Sequence, residues 1–219
     1  IMAKHTGQPL EKISQDTGIY SMHLPEKYGG GGMGAISAVV VDEEVRRSLV
    51  HLPFSHCPNV LVNYAKTEQE EKYVLPCVRG EKLACFAQTE PQAGSDPGGM
   101  IQTRAVRDGD DLIINGTKMF ITSAHIADFM LLQAVTDEEK RQRGGITMFL
   151  VDIDAPGVSM APIKTWITPH RSTQSFVFLD NVRVPHSQVL GEVGNGFRLG
   201  QQWLAPHDRL MRGSMALGI

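Results

Sequence analysis

Up to about residue 80 the pattern is helical: apolar side chains recur at Val41, Val45, Leu49 and Leu52, close to the helical period, with Glu43, Glu44, Arg46 and Arg47 between them. One apolar stripe and one wet face predict an amphipathic helix. Thr67-x-x-Glu70, followed by Tyr73 and Val74, has the form of a capping box and predicts a second helix, ended or bent by Pro76. From Lys82 the pattern changes to short runs rich in β-branched and aromatic residues, punctuated by Asp108-Gly109, Asn115-Gly116, Ala155-Pro156-Gly157 and Val184-Pro185. Strands are predicted at 83–88, 102–107, 111–115, 118–122, 129–135, 146–152, 158–163 and 176–179. With no amphipathic helices between them, these runs predict an antiparallel sandwich or barrel rather than a parallel α/β sheet. The charged stretch 137–145 reads as a long solvent-exposed hairpin loop. Helical texture returns at Gly196 with Phe197, Gln201 and Leu204, then Met211 and Met215, interrupted by Pro206. The expected architecture is α+β: an N-terminal helical domain (1–81), an antiparallel β-sandwich or barrel middle domain (82–193), and the start of a C-terminal helical bundle (194–219).

With 219 residues, 42% hydrophobic and 21% charged, the chain can build a sizeable core and is not disordered. Its 24 acidic and 21 basic residues give a net charge of −3, so no overall field draws it to nucleic acid or an anionic membrane. Affinity for a phosphate must come from a local site. The longest apolar runs, such as 129–135, fall well short of the roughly 20 residues a bilayer span needs, and no signal-like segment opens the chain. A soluble, intracellular protein is expected. Three cysteines without a CxxC spacing, Cys57, Cys77 and Cys85, read as buried small hydrophobes rather than a disulfide framework or zinc site. The histidines show no ligand pattern; His51 and His56 with Cys57 read as a packing feature, so no metal is expected. Ile1 in place of Met, and a helical stretch still running at Ile219, lead us to expect further sequence beyond both ends.

Three segments carry candidate chemistry. Gly29-x-Gly31-x-x-Gly34 matches the dinucleotide fingerprint formally, but 24–28 is not a convincing strand, so a glycine-rich loop is expected instead. In Phe86-Ala87-Gln88-Thr89-Glu90-Pro91-Gln92-Ala93-Gly94-Ser95-Asp96 a strand ends in a threonine, and small residues then offer backbone amides and a serine hydroxyl. Such a loop suits a phosphate or a heteroaromatic edge; a tight turn with Ser95 or Asp96 capping backbone groups is the competing reading. In Met119-Phe120-Ile121-Thr122-Ser123, alternation places Phe120 and Thr122 on one face, either packing on a flat ring or filling a sandwich core.

Taken in order, these segments resemble the acyl-CoA dehydrogenase family along nearly the whole chain. The resemblance rests on Pro25-Glu26-Lys27-Tyr28-Gly29-Gly30, the 86–96 segment, Ile113-Ile114-Asn115-Gly116-Thr117-Lys118-Met119-Phe120-Ile121-Thr122, Asn181-Val182-Arg183-Val184-Pro185 and Leu190-Gly191-Glu192-x-Gly194-x-Gly196-Phe197. It implies an FAD enzyme that converts an acyl-CoA thioester to the trans-2-enoyl-CoA. A carboxylate takes the α proton, the β carbon delivers a hydride to flavin N5, and electrons leave through an electron-transfer flavoprotein or similar acceptor.

By the same resemblance, Phe86, Ala87, Gln88 and Thr89 line the flavin, with Thr89 on its pyrimidine edge. Gly94 is a further cofactor contact, and Ser95 matches the family serine between the FAD and CoA moieties, making it a substrate contact as well. Phe120, Ile121 and Thr122 stand where the family has Trp-Ile-Thr, with the threonine hydroxyl at N5, and Arg209 matches an arginine that contacts FAD. Phe120, Gln92 and Ser123 replace a tryptophan, a glycine and an asparagine of the common pattern. Asp208 occupies the place where the isovaleryl and long-chain branch carries its catalytic base, and a surface Asp paired with Arg212 is the alternative. Lys140, Arg141 and Arg143 are candidates for the CoA phosphates, with a solvated charge run as the competing reading. A homodimer or homotetramer in the cytoplasm or mitochondrial matrix is implied. The rival readings are a flavin oxidase or monooxygenase on the same fold, and a noncatalytic protein that kept it.

Overall fold

A computed structural model describes residues 10–47, 55, 57–164, 174–204 and 213. The N-terminal part is helical, with α1 (Leu10–Asp16), α2 (Ala35–Arg47), α3 (Asn59–Tyr64), α4 (Thr67–Gln69) and α5 (Leu75–Val78). Along α2, Ala38 and Asp42 are buried and Val41 and Val45 only half-buried, so the most buried line runs one position off the Val41–Val45 stripe expected from the period; Leu49 and Leu52 lie outside the described residues.

The capping residues differ from expectation. Lys66, not Thr67, precedes the first turn of α4, and its backbone N–H donates to Gln69 Oε1 at 3.1 Å. Glu70 is drawn away by the Tyr28 hydroxyl. Nor does Pro76 end the helix: a π turn (Glu70–Val74) joins α4 to α5 and absorbs it. Proline at 76 cannot donate to the Lys72 carbonyl four residues back, and the Lys82 ammonium takes that acceptor instead, at 3.2 Å.

Seven strands form one curled sheet: β1 (Ala84–Ala87), β2 (Arg104–Asp108), β3 (Asp111–Thr122), β4 (Phe129–Val135), β5 (Ile146–Asp152), β6 (Val158–Ile163) and β7 (Gln174–Pro185). The hub is β4, buried along its whole length because both of its faces are covered. Phe129 and Leu131 pack with Leu61, Tyr73 and Leu199 of the helical layer. Met130, Leu132 and Ala134 point the other way, into a β core with Ile114, Phe149 and Val177. The middle region is therefore a curled sheet with helices on one side, and the α+β expectation holds.

Two details of the sheet differ from a purely antiparallel one. β4 pairs antiparallel with β5, yet β1 pairs with it in parallel from Ala84↔Phe129 to Ala87↔Leu132, and β2 touches the same edge in parallel at Arg104↔Val135. β1 and β2 thus lie end to end along β4, and residues 88–103 leave the sheet between them. The second difference is at Asn115-Gly116, which makes no turn. β3 runs through it with a register shift against β7, and Asn115 Oδ1 accepts the Asn181 N–H at 2.8 Å. The glycine is required by close approach: a Cβ at Gly116 would fall 2.3 Å from Thr103 Oγ1.

A further helix, α6 (Pro97–Met100), sits inside the 88–103 excursion, and α7 (Gly196–Trp203) follows the sheet. Among the described residues no helix is long and apolar enough to cross a membrane. Cys57, Cys77 and Cys85 are free and buried, as expected of small hydrophobes.

Candidate active site

The break between β1 and β2 leaves β3 beside a stretch with no regular ladder, and the chain closes it with a buried ion pair. Lys118 Nζ lies 2.8 Å from Glu90 Oε1 and 3.2 Å from the Gln88 carbonyl oxygen, with the two charged side chains only 0% and 2% exposed. Glu90 also accepts the backbone N–H of Gln102 at 2.6 Å and of Thr103 at 3.0 Å. Between Gln88 and Glu90, the Thr89 carbonyl accepts the Met119 N–H at 2.8 Å. Burial pushes the Lys118 ammonium down to about 8, against the pull of Glu90. Burial alone would raise the Glu90 carboxyl, but Lys118 and the amide donors outweigh it and hold it below its ordinary value.

Immediately beyond Lys118 the strand changes phase. Strict alternation would put Lys118, Phe120 and Thr122 on one face. Instead a bulge between Lys118 and Ile121, with Phe120 at φ 58°, keeps Lys118 and Ile121 inside and turns Phe120 and Thr122 outward. The Phe120 ring is 45% exposed, so it is no core aromatic. Ser123 follows at φ 62° and its carbonyl accepts the N–H groups of Ile126 and Ala127 at 3.0 and 2.9 Å.

The structure therefore brings the Thr89 turn against the strand that presents Phe120 and Thr122. In the 86–96 loop, Glu90 and Ala93 exchange backbone hydrogen bonds, and Asp96 caps α6 by accepting the Gly99 N–H at 3.0 Å. Capping is thus the work of Asp96, which leaves the Ser95 hydroxyl exposed with no partner among the described residues. Gly94 is exposed too, and a Cβ there would meet nothing within 4 Å. An open groove of about 580 Å³ runs on from this loop, lined by Pro91, Gln92, Met100, Gln102, Gly116 and Thr117.

The remaining described site residues have packing partners of their own. Phe86 faces the helical layer and stacks on Trp203 with ring centroids 5.1 Å apart, and Gln88 Nε2 donates to buried Gln133 Oε1 at 2.8 Å. Ala87 and Ile121 are in the β core. Asp208 and Arg209 lie outside the described residues. Of the basic loop, Lys140 is held by Asp137 at 2.7 Å, while Arg141 pairs with Glu138 and donates to the Gly99 and Ile101 carbonyls. The glycine-rich segment follows a 3-10 turn (Glu26–Tyr28), with no strand feeding it.

Glu90 and Lys118 are the residues that sequence reasoning passes over. A lone lysine in a strand reads as solvated, and the signal for burial, its place in phase with Leu112 and Ile114, is legible only once the two halves of β3 are joined across Gly116.

The fold agrees with the comparisons. The family model described as acyl-CoA dehydrogenase, N-terminal domain, matches residues 3–81, and that described as acyl-CoA dehydrogenase, middle domain, matches 85–182. The chain is 38% identical over 216 residues to a 3-(aryl)acrylate reductase of Clostridium sporogenes, covering 96% of this chain and 56% of that protein. It is 31% identical over 208 residues to the human mitochondrial short-chain specific acyl-CoA dehydrogenase, covering 92% and 50%. Among solved structures it superimposes on butyryl-CoA dehydrogenase from Megasphaera elsdenii with a TM-score of 0.80 at 33% identity, over 92% of this chain and 54% of that one. The chain thus spans about half the length of the relatives it matches. With two successive domains of one family matched along it, the chain belongs to the acyl-CoA dehydrogenase family.

Proposed function

We propose that the full-length protein binds FAD and carries out α,β-dehydrogenation of an acyl-CoA thioester to the trans-2-enoyl-CoA. The observation that carries this reading is the outward edge at Phe120–Thr122, a bare aromatic face and a hydroxyl pinned through Met119 to the Thr89 turn. Its donors are neutral: the Thr89, Ser95 and Thr122 hydroxyls with the loop amides around them. Such a set suits a flat, neutral heteroaromatic ring better than an isolated phosphate. When bound, FAD supplies the two-electron acceptor for the hydrogen leaving the β carbon.

The chain's own groups do the rest. Thr89, Phe120 and Thr122 would hold and orient the flavin ring, and Ser95 would contact both the cofactor and the acyl-CoA. Asp208 is our candidate for the base that takes the α proton, a step helped by hydrogen bonds to the thioester oxygen. Asp208→Asn in the full-length protein should retain bound flavin and abolish turnover; full activity would remove it as the base. An electron-transfer flavoprotein is the proposed acceptor.

A second reading, favoured by the identity to the 3-(aryl)acrylate reductase, is the reverse reaction, reduction of an α,β-unsaturated acyl thioester, for which the same residues serve by microscopic reversibility. The deciding experiment is to purify the full-length protein, record its visible spectrum, and assay saturated and unsaturated acyl-CoA thioesters with artificial electron acceptors and donors. Bleaching of a bound flavin by a saturated thioester supports the first reading. Reoxidation of reduced flavin by an enoyl thioester alone supports the second, oxygen consumption without an added acceptor would point to an oxidase, and a colourless, inert protein would end both.

A further inference from the structure

Where β1 and β2 part, one ammonium and one carboxylate replace a missing length of ladder. Lys118 holds the Gln88 carbonyl and the Glu90 carboxylate, the groups on either side of Thr89. Glu90 in turn gathers the Gln102 and Thr103 N–H groups, where the excursion rejoins the sheet. The next residue of β3, Met119, ties down the Thr89 carbonyl, and the one after it, Phe120, takes the left-handed turn that throws its ring outward. Residues 88, 89 and 90 are thus each fixed to 118 or 119, directly ahead of the bulge.

A buried ion pair adds little stability over apolar side chains of the same size; what this pair supplies is a direct tie between backbone segments that no ladder joins. At stake is the spacing between the Thr89 turn and the Phe120–Thr122 edge. We propose that Lys118 and Glu90 are a positioning pair for the ring-binding site, setting that spacing so that one planar ring meets both segments. Each of the two side chains is almost wholly buried. The inference rests on the flavin reading above.

The test uses the full-length protein with two neutral replacements, Glu90→Gln and the double variant Glu90→Gln/Lys118→Met. In the single variant Lys118, already pushed down by burial, can shed its proton and keep its bond to the Gln88 carbonyl, which favours folding. Thermal unfolding is read first, then the dissociation constant for FAD and the fine structure of its visible band. We expect cooperative folding in both, about tenfold weaker FAD binding in the double variant, and a blurred band. Val60→Ala, a cavity variant in the helical layer, should lower the melting temperature while weakening FAD binding far less than the double variant does.

The proposal is overturned if the folded double variant binds FAD as tightly as the wild type, if Val60→Ala weakens binding as much, or if both replacements fail to fold, which would assign the pair to folding alone. A wild-type protein that binds no FAD would instead bring down the flavin reading, and this inference with it.

Discussion

Phe120 and Ser123 both hold left-handed backbone, at φ 58° and 62°, a conformation costing roughly 1–2 kcal/mol for a residue with a Cβ. The two costs serve different ends. At Phe120 the twist lifts a ring that is 45% exposed, so Phe120→Ala should change folding stability by less than about 1 kcal/mol in urea titration while markedly weakening flavin retention. A large loss of stability would mean that the ring is packed. At Ser123 the twist makes a turn, and the residue is one the family pattern gives as asparagine, which tolerates this region better. Ser123→Asn should stabilise by roughly 0.5 kcal/mol, read as a small rise in melting temperature. For Thr122, loss of the hydroxyl in Thr122→Val removes one donor worth about 1 kcal/mol and should slow flavin reduction by on the order of tenfold, followed by stopped-flow bleaching. An unchanged rate would displace Thr122 from the reactive edge.

At the scale of elements, strands such as β4, β5 and β6 are readable because a continuous apolar run or a Gly/Pro-bounded run allows few alternatives. The parallel pairing of β1 with β4 is not readable, since it depends on where residues 88–128 return rather than on local pattern. Site residues divide in the same way. Phe120 and Thr122 do share a face, but period-two reading puts Lys118 with them, and only the bulge separates buried cation from exposed ring. Gly116 looks like a turn residue and is a contact residue: Gly116→Ala would press a methyl to within 2.7 Å of Thr103 Cα, with an expected loss of about 2–4 kcal/mol. The ion pair beside it has a pH signature. Glu90 lies below its ordinary 4.5, so its contribution is complete above that value and is lost as pH falls through the lower folded value. Urea unfolding between about pH 5 and about pH 3 should therefore be less pH-dependent in Glu90→Gln than in the wild type; identical slopes would mean that the carboxylate gains nothing from its partners.

Across the molecule, the helical layer and the site are joined through one line of contacts. α7 lays Leu199 into the helical cluster, Gln133 of β4 donates to the Gly196 carbonyl at 2.7 Å and accepts from Gln88 at 2.8 Å, and Trp203 stacks on Phe86 of β1. The strand that ends in the Thr89 turn is therefore braced by a helix more than a hundred residues later in the chain. What permits the approach is the absence of a side chain at Gly196, where a Cβ would fall 2.4 Å from the Thr147 carbonyl carbon and 2.5 Å from the Met148 nitrogen. Those are backbone atoms in a buried strand and cannot step aside. Gly196→Ala should consequently push α7 off the sheet, cost about 2–4 kcal/mol, and lower the melting temperature by roughly 4–16 °C for a chain of this size. Taken as the difference from a Trp203→Phe control, the emission of Trp203 should shift to the red as the indole leaves Phe86, and FAD affinity should fall with it because the brace behind Thr89 is lost. A Gly196→Ala protein with wild-type melting and unshifted emission would show that α7 does not rest on β5 at this distance, and the coupling between helix and site would go with it.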